Sequence, residues 1–318
     1  MPRIVVIDSG YDSYAYERDL FERHGFTFEV FAGGHHDRAG KIKFAGDAVG
    51  MFLRWTAVDD AFCAALPHLK AIVRYGVGYD NVDLAATRRY GLRVANVQGY
   101  ANHSVSDHAL ALLLACSRAL PLGQKTLQLQ FTAPPTPEVM DLHDKTLGII
   151  GLGRIGSTFC RKARFLFNRI LAVDPYIPVE NFAAAGATPC ELDVLLRESH
   201  AISLHCNLTD ETRHILDAAA FSKMEQRPII INTSRGEVVE SEALLVALNA
   251  GQIYGAGLDV YREEPPGPDL APLLKHPRVV ATGHYAWYSV SAMVELQKRA
   301  ADNLLALLQG AAVEDELS

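Results

Sequence analysis

The segment Gly151-Leu152-Gly153-Arg154-Ile155-Gly156 follows the apolar run Thr146–Ile150 and opens a stretch of alternating apolar and basic residues with helical character. A GxGxxG at a strand-to-helix junction meets a specific physical demand. The first glycine makes the tight turn, the second lets a pyrophosphate approach the backbone, and the third lets helix and strand pack closely. The N–H groups of the helix then face the phosphate charge. Asp174, 18 residues beyond Gly156 at the end of the next apolar run, has a carboxylate suited to an adenosine ribose diol. It would repel a 2′-phosphate, so NAD is expected rather than NADP. Pro175-Tyr176-Ile177-Pro178 would either wall the adenine or simply make a turn.

Three later segments end apolar runs in the same way: Ile231–Gly236, Gly257–Pro265 and Thr282–Ser289. The C-terminal ends of parallel strands form the usual ligand edge of an open sheet. Arg235, Glu264 and His284 would therefore converge there, beside the expected dinucleotide.

The elements that must position these residues alternate along the chain. Strands are expected at Ile4–Ile7, Thr27–Val30, Ala48–Leu53, Ala71–Val73 and Arg93–Asn96, then at Thr146–Ile150, Arg169–Val173, Ala201–Leu204, Ile229–Ile231, Ala256–Val260 and Val279–Ala281. Helical stretches between them include Tyr14–His24 and Asp59–Ala65, and a last helix spans Val290–Gln309. This alternation implies an α/β fold with parallel sheets. Ser104 and Asp107 have capping-box spacing, which predicts a mostly buried helix from Ser104 to about Leu120. Phe131–Pro137 reads as a surface excursion.

The 318 residues suit about two domains. A net charge of −7 argues against a general nucleic-acid binder. The opening apolar run of four is too short for a signal peptide, and the longest apolar stretch, Ala109–Cys116, is too short for a membrane span. The five widely spaced cysteines make a poor disulfide framework. The expectation is a cytoplasmic protein with no membrane or nucleic-acid partner.

Over nearly its whole length the chain resembles the D-isomer-specific 2-hydroxyacid dehydrogenases. The matching stretches are VRYGVGYDNVDL from Val73, SVSDHALALLLA from Ser104, GIIGLGRIG from Gly148, INTSRGEVV from Ile231, GAGLDVYREEP from Gly255 and HYAWYS from His284. SLHCNLTDETRH from Ser203 and the His284 run look most like the branch of phosphoglycerate-dehydrogenase-like and C-terminal-binding-protein-like members.

The resemblance implies NAD as cofactor and an interconversion of a small 2-oxo acid with its D-2-hydroxy acid. It assigns His284 as the acid/base, Glu264 as the partner that orients the imidazole, and Arg235 as the donor to the substrate carboxylate and keto oxygen. Gly151, Gly153, Arg154, Ile155, Gly156, Asp174, Cys206, Asn207, Thr212, Thr233, Ser234 and Asp259 would contact the cofactor. Val77 and Gly78 would offer backbone N–H groups to the substrate. Arg54 and Arg74 would add charge there, with an ordinary salt bridge the alternative for Arg54. Trp287 would shape the substrate pocket or pack between domains. No metal is expected, since the adjacent histidines of Gly33-Gly34-His35-His36-Asp37 have no further ligand fixed nearby and read as a polar loop.

The sequence departs from the family at Gly283, where proline is common, at Asn207, and over Phe131–Asp144. The family also implies two Rossmann-like or flavodoxin-like domains with a substrate cleft between them. Residues 1–100 with 289–318 would form a discontinuous substrate-binding domain, and 101–288 the NAD-binding domain. The helix from Ser104 suits a homodimer. The competing reading is an NAD(H)-responsive regulatory protein of corepressor type.

Overall fold

The computed structural model describes residues 1–126 and 139–317. The Pro-rich stretch Phe131–Pro137, and most of the divergent Phe131–Asp144 segment, lie outside the described residues. The chain divides into two compact units, Met1–Ala101 with Ser289–Ser318, and Asn102–Tyr288.

The first unit holds five parallel strands: β1 (Arg3–Val6), β2 (Thr27–Val30), β3 (Gly50–Leu53), β4 (Ala71–Arg74) and β5 (Arg93–Ala95). Their order is β2-β1-β3-β4-β5, a doubly wound, flavodoxin-like arrangement. Helices must cover both faces of such a sheet, which explains why β3 reads as a continuous apolar run rather than an alternating one. One face buries Val5, Met51, Leu53, Ile72 and Val94 with Phe62. The helix Val290–Leu308 packs on β3 and β4 and against the helix Ala15–Arg23. Gly50 admits that helix closely: a Cβ there would sit 2.8 Å from Ile4 Cδ1 and 3.0 Å from Leu308 Cδ1.

The second unit holds seven parallel strands: β6 (Thr146–Ile150), β7 (Arg169–Val173), β8 (Thr188–Pro189), β9 (Ala201–Leu204), β10 (Ile229–Asn232), β11 (Gly255–Leu258) and β12 (Val279–Ala281). Their order is β12-β11-β10-β9-β6-β7-β8. The direction of winding reverses between β6 and β9, so the crevice at their C-terminal ends is the topological switch point where ligands bind.

Two local expectations need correction. The first long helix of this unit runs Asn102–Ser117, so Ser104 sits inside its first turn and does not cap it. Ser106 Oγ already bonds back to the Asn102 carbonyl at 2.7 Å, and Asp107 takes Lys162 Nζ at 2.7 Å instead of reaching backward. A tertiary ion pair has claimed the residue that the local capping pattern needed. The helix stops near Ala119, which has a left-handed φ of 50°, and a separate helix follows over Leu120–Thr126. The two-residue edge strand β8 was not expected, because so short a segment carries no periodicity.

Candidate active site and cofactor cradle

Each glycine of the loop after β6 has its own task. Gly151 has φ +88°, and a Cβ there would lie 2.5 Å from the Cys206 nitrogen in the loop after β9. The two loops at the switch point touch backbone to backbone, which only glycine permits. Gly153 begins the helix Arg154–Ala163, and a Cβ on it would meet nothing within 4 Å, so a ligand can approach the helix N-terminus from that side. At Gly156 a Cβ would collide with the Gly151 carbonyl. A cavity of about 380 Å³ opens beside this helix, lined by Leu152, Gly153, Arg154, Ser157 and Arg161 among others. Ile155 follows Arg154 in the first turn.

Asp174, just past β7, accepts the Leu152 N–H at 2.8 Å and the Tyr176 N–H at 3.0 Å. Its carboxylate thus ties the glycine loop to the strand end as well as presenting charge. Across the switch point, Thr212 donates its hydroxyl to the Asn207 carbonyl at 2.6 Å, closing the loop that also carries Cys206. Burial raises the Cys206 thiol to about 11, so it stays protonated near neutrality. Burial lowers the neighbouring His205 imidazole to about 3.

Beyond β10, Asn232 organises the next loop. It is 1% exposed; its Oδ1 accepts from the Ser234 N–H at 3.0 Å, and its Nδ2 donates to the Arg235 carbonyl at 2.9 Å. Thr233 Oγ1 is buried without a hydrogen-bond partner, an orphaned donor and acceptor of the kind a bound cofactor satisfies. The open helix N-terminus at Gly153 and this orphaned hydroxyl both fit a dinucleotide. A Cβ at Gly236 would strike the Tyr261 carbonyl group, so the Arg235 loop lies flush against the chain leading to Glu264.

His284 Nδ1 lies 2.5 Å from Glu264 Oε2, while Glu264 Oε1 accepts the Tyr261 N–H at 3.1 Å. Burial alone would raise the Glu264 carboxyl. The His284 hydrogen bond and the nearby charges of His284 and Arg235 outweigh it and hold the group below its usual value. The structure therefore brings Arg235, Glu264 and His284 together at the C-terminal edge of β10, β11 and β12. His284 itself has φ +54°, and its N–H donates to the Asp259 carbonyl at 2.8 Å. Trp287 Nε1 donates to the His284 carbonyl at 3.0 Å, bracing the same turn.

Asp259 is fully buried, and its carboxylate accepts from Thr282 Oγ1 at 2.6 Å, Tyr285 N–H at 3.2 Å and Ala286 N–H at 2.9 Å. It fixes the histidine loop. Sequence reasoning gave it only a cofactor contact.

The remaining substrate candidates belong to the first unit. Arg54 follows β3 and Arg74 ends β4, and the register pairs Leu53 with Arg74 across the sheet. The Arg54 guanidinium lies over the rings of Tyr11 (5.0 Å) and Trp55 (4.7 Å). Arg74 Nη1 donates to the Tyr75 carbonyl at 2.7 Å. Val77 accepts from Asn96 Nδ2 at 2.6 Å through its carbonyl, and Gly78 follows in the same half-buried turn.

The Arg54 turn has a foundation the sequence did not advertise. Asp8 Oδ2 accepts the N–H groups of Arg54, Trp55 and Thr56 at 2.8, 2.9 and 2.8 Å, and Asp8 Oδ1 accepts from Lys41 Nζ at 2.7 Å. Lys41 also donates to the His35 carbonyl at 2.5 Å. The Gly33–Asp37 run thus leads into a helix that Asp37 caps, and anchors this pair. Among the described residues, no group of three or more histidines, cysteines or acids could hold a metal ion.

A profile of the D-isomer specific 2-hydroxyacid dehydrogenase NAD binding domain matches residues 110–286. A glyoxylate/hydroxypyruvate reductase B from Escherichia fergusonii is 37% identical over 83% of this chain and 82% of its own length. A D-3-phosphoglycerate dehydrogenase from Archaeoglobus fulgidus is 34% identical over 94% of this chain, which spans only 56% of that relative's length. The solved D-lactate dehydrogenase from Escherichia coli superposes with a TM-score of 0.84 at 30% identity, with all of both chains covered. The chain belongs to the D-isomer specific 2-hydroxyacid dehydrogenase family. Its class is the NAD-dependent oxidoreductases that interconvert 2-oxo acids and D-2-hydroxy acids. No helix among the described residues is long and apolar enough to cross a membrane.

Proposed function

We propose that this enzyme reduces a small 2-oxo acid of the glyoxylate or hydroxypyruvate type to the D-2-hydroxy acid, with His284 as the proton donor. The observation that carries the reading is the 2.5 Å contact of His284 with Glu264, whose carboxylate also feels the charge of Arg235. The substrate class is supported by the reductase relative, which this chain matches over most of both lengths.

When bound, NADH supplies the hydride to the keto carbon. The chain's own residues do the rest. Arg235 binds the carboxylate and polarises the keto oxygen, and its planar fork suits both tasks. His284 donates a proton to that oxygen as the alkoxide develops, and in the reverse direction neutral His284 accepts it. Glu264, ionised at working pH, holds Nδ1 and aims Nε2 outward. Gly151, Gly153 and Gly156 with the first turn of the helix receive the pyrophosphate, Asp174 the adenosine ribose, and Thr233 and Asp259 the nicotinamide end. In the first unit, Arg54, Arg74 and the Val77–Gly78 turn are the positively charged and N–H-bearing groups that the family resemblance assigns to acid binding.

The test is NADH oxidation with glyoxylate, hydroxypyruvate, pyruvate and larger 2-oxo acids, using wild type and His284→Ala. The variant is expected to lose about 10²- to 10⁴-fold in kcat, the usual worth of a positioned acid, with NADH affinity little changed. Near-normal turnover by the variant refutes the role of His284. Tight NADH binding with every acid inert would favour the regulatory alternative, which no observation on the described residues supports.

Leu114, on the helix Asn102–Ser117, and Leu120, at the start of the next helix, are both exposed apolar side chains, which suits a homodimer. Sedimentation showing only monomers removes that part of the reading. Buried, unpaired Cys63, Cys116 and Cys160 suit a reducing cytoplasmic setting, and the net charge of −7 suits a protein without a nucleic-acid partner.

A further inference from the structure

His284 sits between two residues that a side chain from another element holds. His108, on the helix Asn102–Ser117, places Nε2 2.9 Å from Thr282 Oγ1, two residues before His284. Its ring meets that of Tyr285, one residue after His284, edge-on at 4.9 Å. The Thr282 hydroxyl spends its proton on Asp259 Oδ1 at 2.6 Å, so its oxygen is left to accept. That places the His108 proton on Nε2. Asp259 in turn takes the N–H groups of Tyr285 and Ala286 on its carboxylate and that of His284 on its carbonyl.

His284 needs this support. Its φ of +54° is a left-handed conformation that a residue with a Cβ holds only where its surroundings impose it. Gly283, immediately before it, adds no side chain to stiffen the turn, and a Cβ there would meet nothing within 4 Å. The constraint must come from elsewhere: Trp287 Nε1 holds the His284 carbonyl, and the contacts on both flanks of His284 lead to Asp259 and His108.

We propose that His108 is a positioning residue for proton transfer. Through Thr282 and Asp259 it fixes the backbone turn at His284, and with it the direction in which the imidazole meets the substrate oxygen. The inference rests on the reading of His284 as proton donor. His108 touches neither reacting atom; it acts through the loop.

The experiment compares His108→Leu, His108→Gln, Thr282→Val and the double variant His108→Leu/Thr282→Val, with kcat, substrate KM and NADH Kd measured for each. His108→Leu is expected to lower kcat about tenfold, within the range that a small misplacement costs, while substrate KM and NADH Kd move little. His108→Gln presents an N–H close to the position of the imidazole Nε2 and should recover most of the rate. Thr282→Val removes the hydroxyl that His108 bonds, leaving only the longer 3.5 Å approach of His108 Nε2 to Asp259 Oδ1, and should reproduce the loss without disturbing the helix. The double variant should be no slower than the slower single one, because both break the same connection.

Wild-type kcat in His108→Leu, equal impairment of the Leu and Gln variants, or multiplying losses in the double variant each overturn the proposal. Should His108→Leu fail to fold, wild-type kcat in Thr282→Val overturns it alone. A fully active His284→Ala removes the underlying reading, whereas an inert His284→Ala beside a fully active His108→Leu removes only this inference.

Discussion

His284 Nδ1 and Glu264 Oε2, 20 residues apart in sequence, lie 2.5 Å from each other across two loops at one sheet edge. Both side chains remain open to solvent, at 40% and 35% exposure, so the pair is available to a substrate and contributes little to folding. Its value is orientation. Glu264→Gln keeps an acceptor but removes the charge opposite the imidazolium that forms or discharges in each direction. The expected result is a kcat lower by about 10- to 100-fold, within what acid–base assistance supplies, with an unchanged thermal midpoint. Steady-state kinetics beside a melting curve check it, and an equal fall in both would mean a structural role.

The Glu264 carboxyl is held below its ordinary value of 4.5. A depressed acid contributes its interaction above the unfolded value and loses it as pH falls through the folded one. Loss of activity from protonating Glu264 should therefore begin only below about pH 4.5. A pH–rate profile whose loss in Glu264→Gln leaves an identical acid limb would assign that limb to another group.

Asp174 has two tasks that substitution can separate. Asp174→Ser removes the charge that repels a 2′-phosphate, and NADPH use should rise relative to NADH. The same change weakens the carboxylate bonds to the Leu152 and Tyr176 N–H groups, so NADH binding itself should weaken. Fluorescence titration with both cofactors checks this; an unchanged NADPH-to-NADH preference would show that Asp174 does not face the ribose.

Lys41 and Asp8 form an ion pair whose side chains are 2% and 0% exposed. Removing one partner strands the other charge in the interior, at a cost of about 3–5 kcal/mol. Lys41→Met is expected to lose that much stability in denaturant unfolding and to weaken substrate binding through the Arg54 turn. Burial would raise Asp8, but Lys41, Thr56 and the backbone N–H groups together lower it beneath 3.8. By the same sign rule, its contribution persists down to about pH 3.8 and disappears only as pH falls through its lower folded value. A variant as stable as wild type would mean that Asp8 is satisfied by its other donors.

His205 works in the opposite direction. Its imidazole packs on the Phe159 ring at 4.9 Å, and burial lowers it from 6.5 to about 3. Between those values the unfolded chain binds a proton that the folded chain refuses, so stability falls as pH drops from about 6.5 toward 3. The loss is on the order of a few kcal/mol. His205→Gln should flatten stability measured against pH over this window; an unchanged slope would place the acid sensitivity elsewhere.

Much of this was legible in the chain itself. The strand, turn and helix over residues 146–163 and the tasks of Gly153 and Gly156 were legible locally, whereas the demand on Gly151 comes from the Cys206 backbone in the loop after β9. The parallel strands announced themselves as apolar runs because both their faces are covered. Arg235, Glu264 and His284 were named by the motifs around them. The tertiary structure decided which groups meet. Asn232 reads as one more strand residue until it is seen holding the backbone around Ser234 and Arg235. Asp8 and Lys41, like His108 and Thr282, acquire meaning only as pairs. Ser104 misled because Asp107 had a stronger partner in Lys162, on another helix. Local pattern fixes backbone conformation over a few residues, whereas the energy of a buried charge or a strained turn depends on neighbours that the linear order does not display.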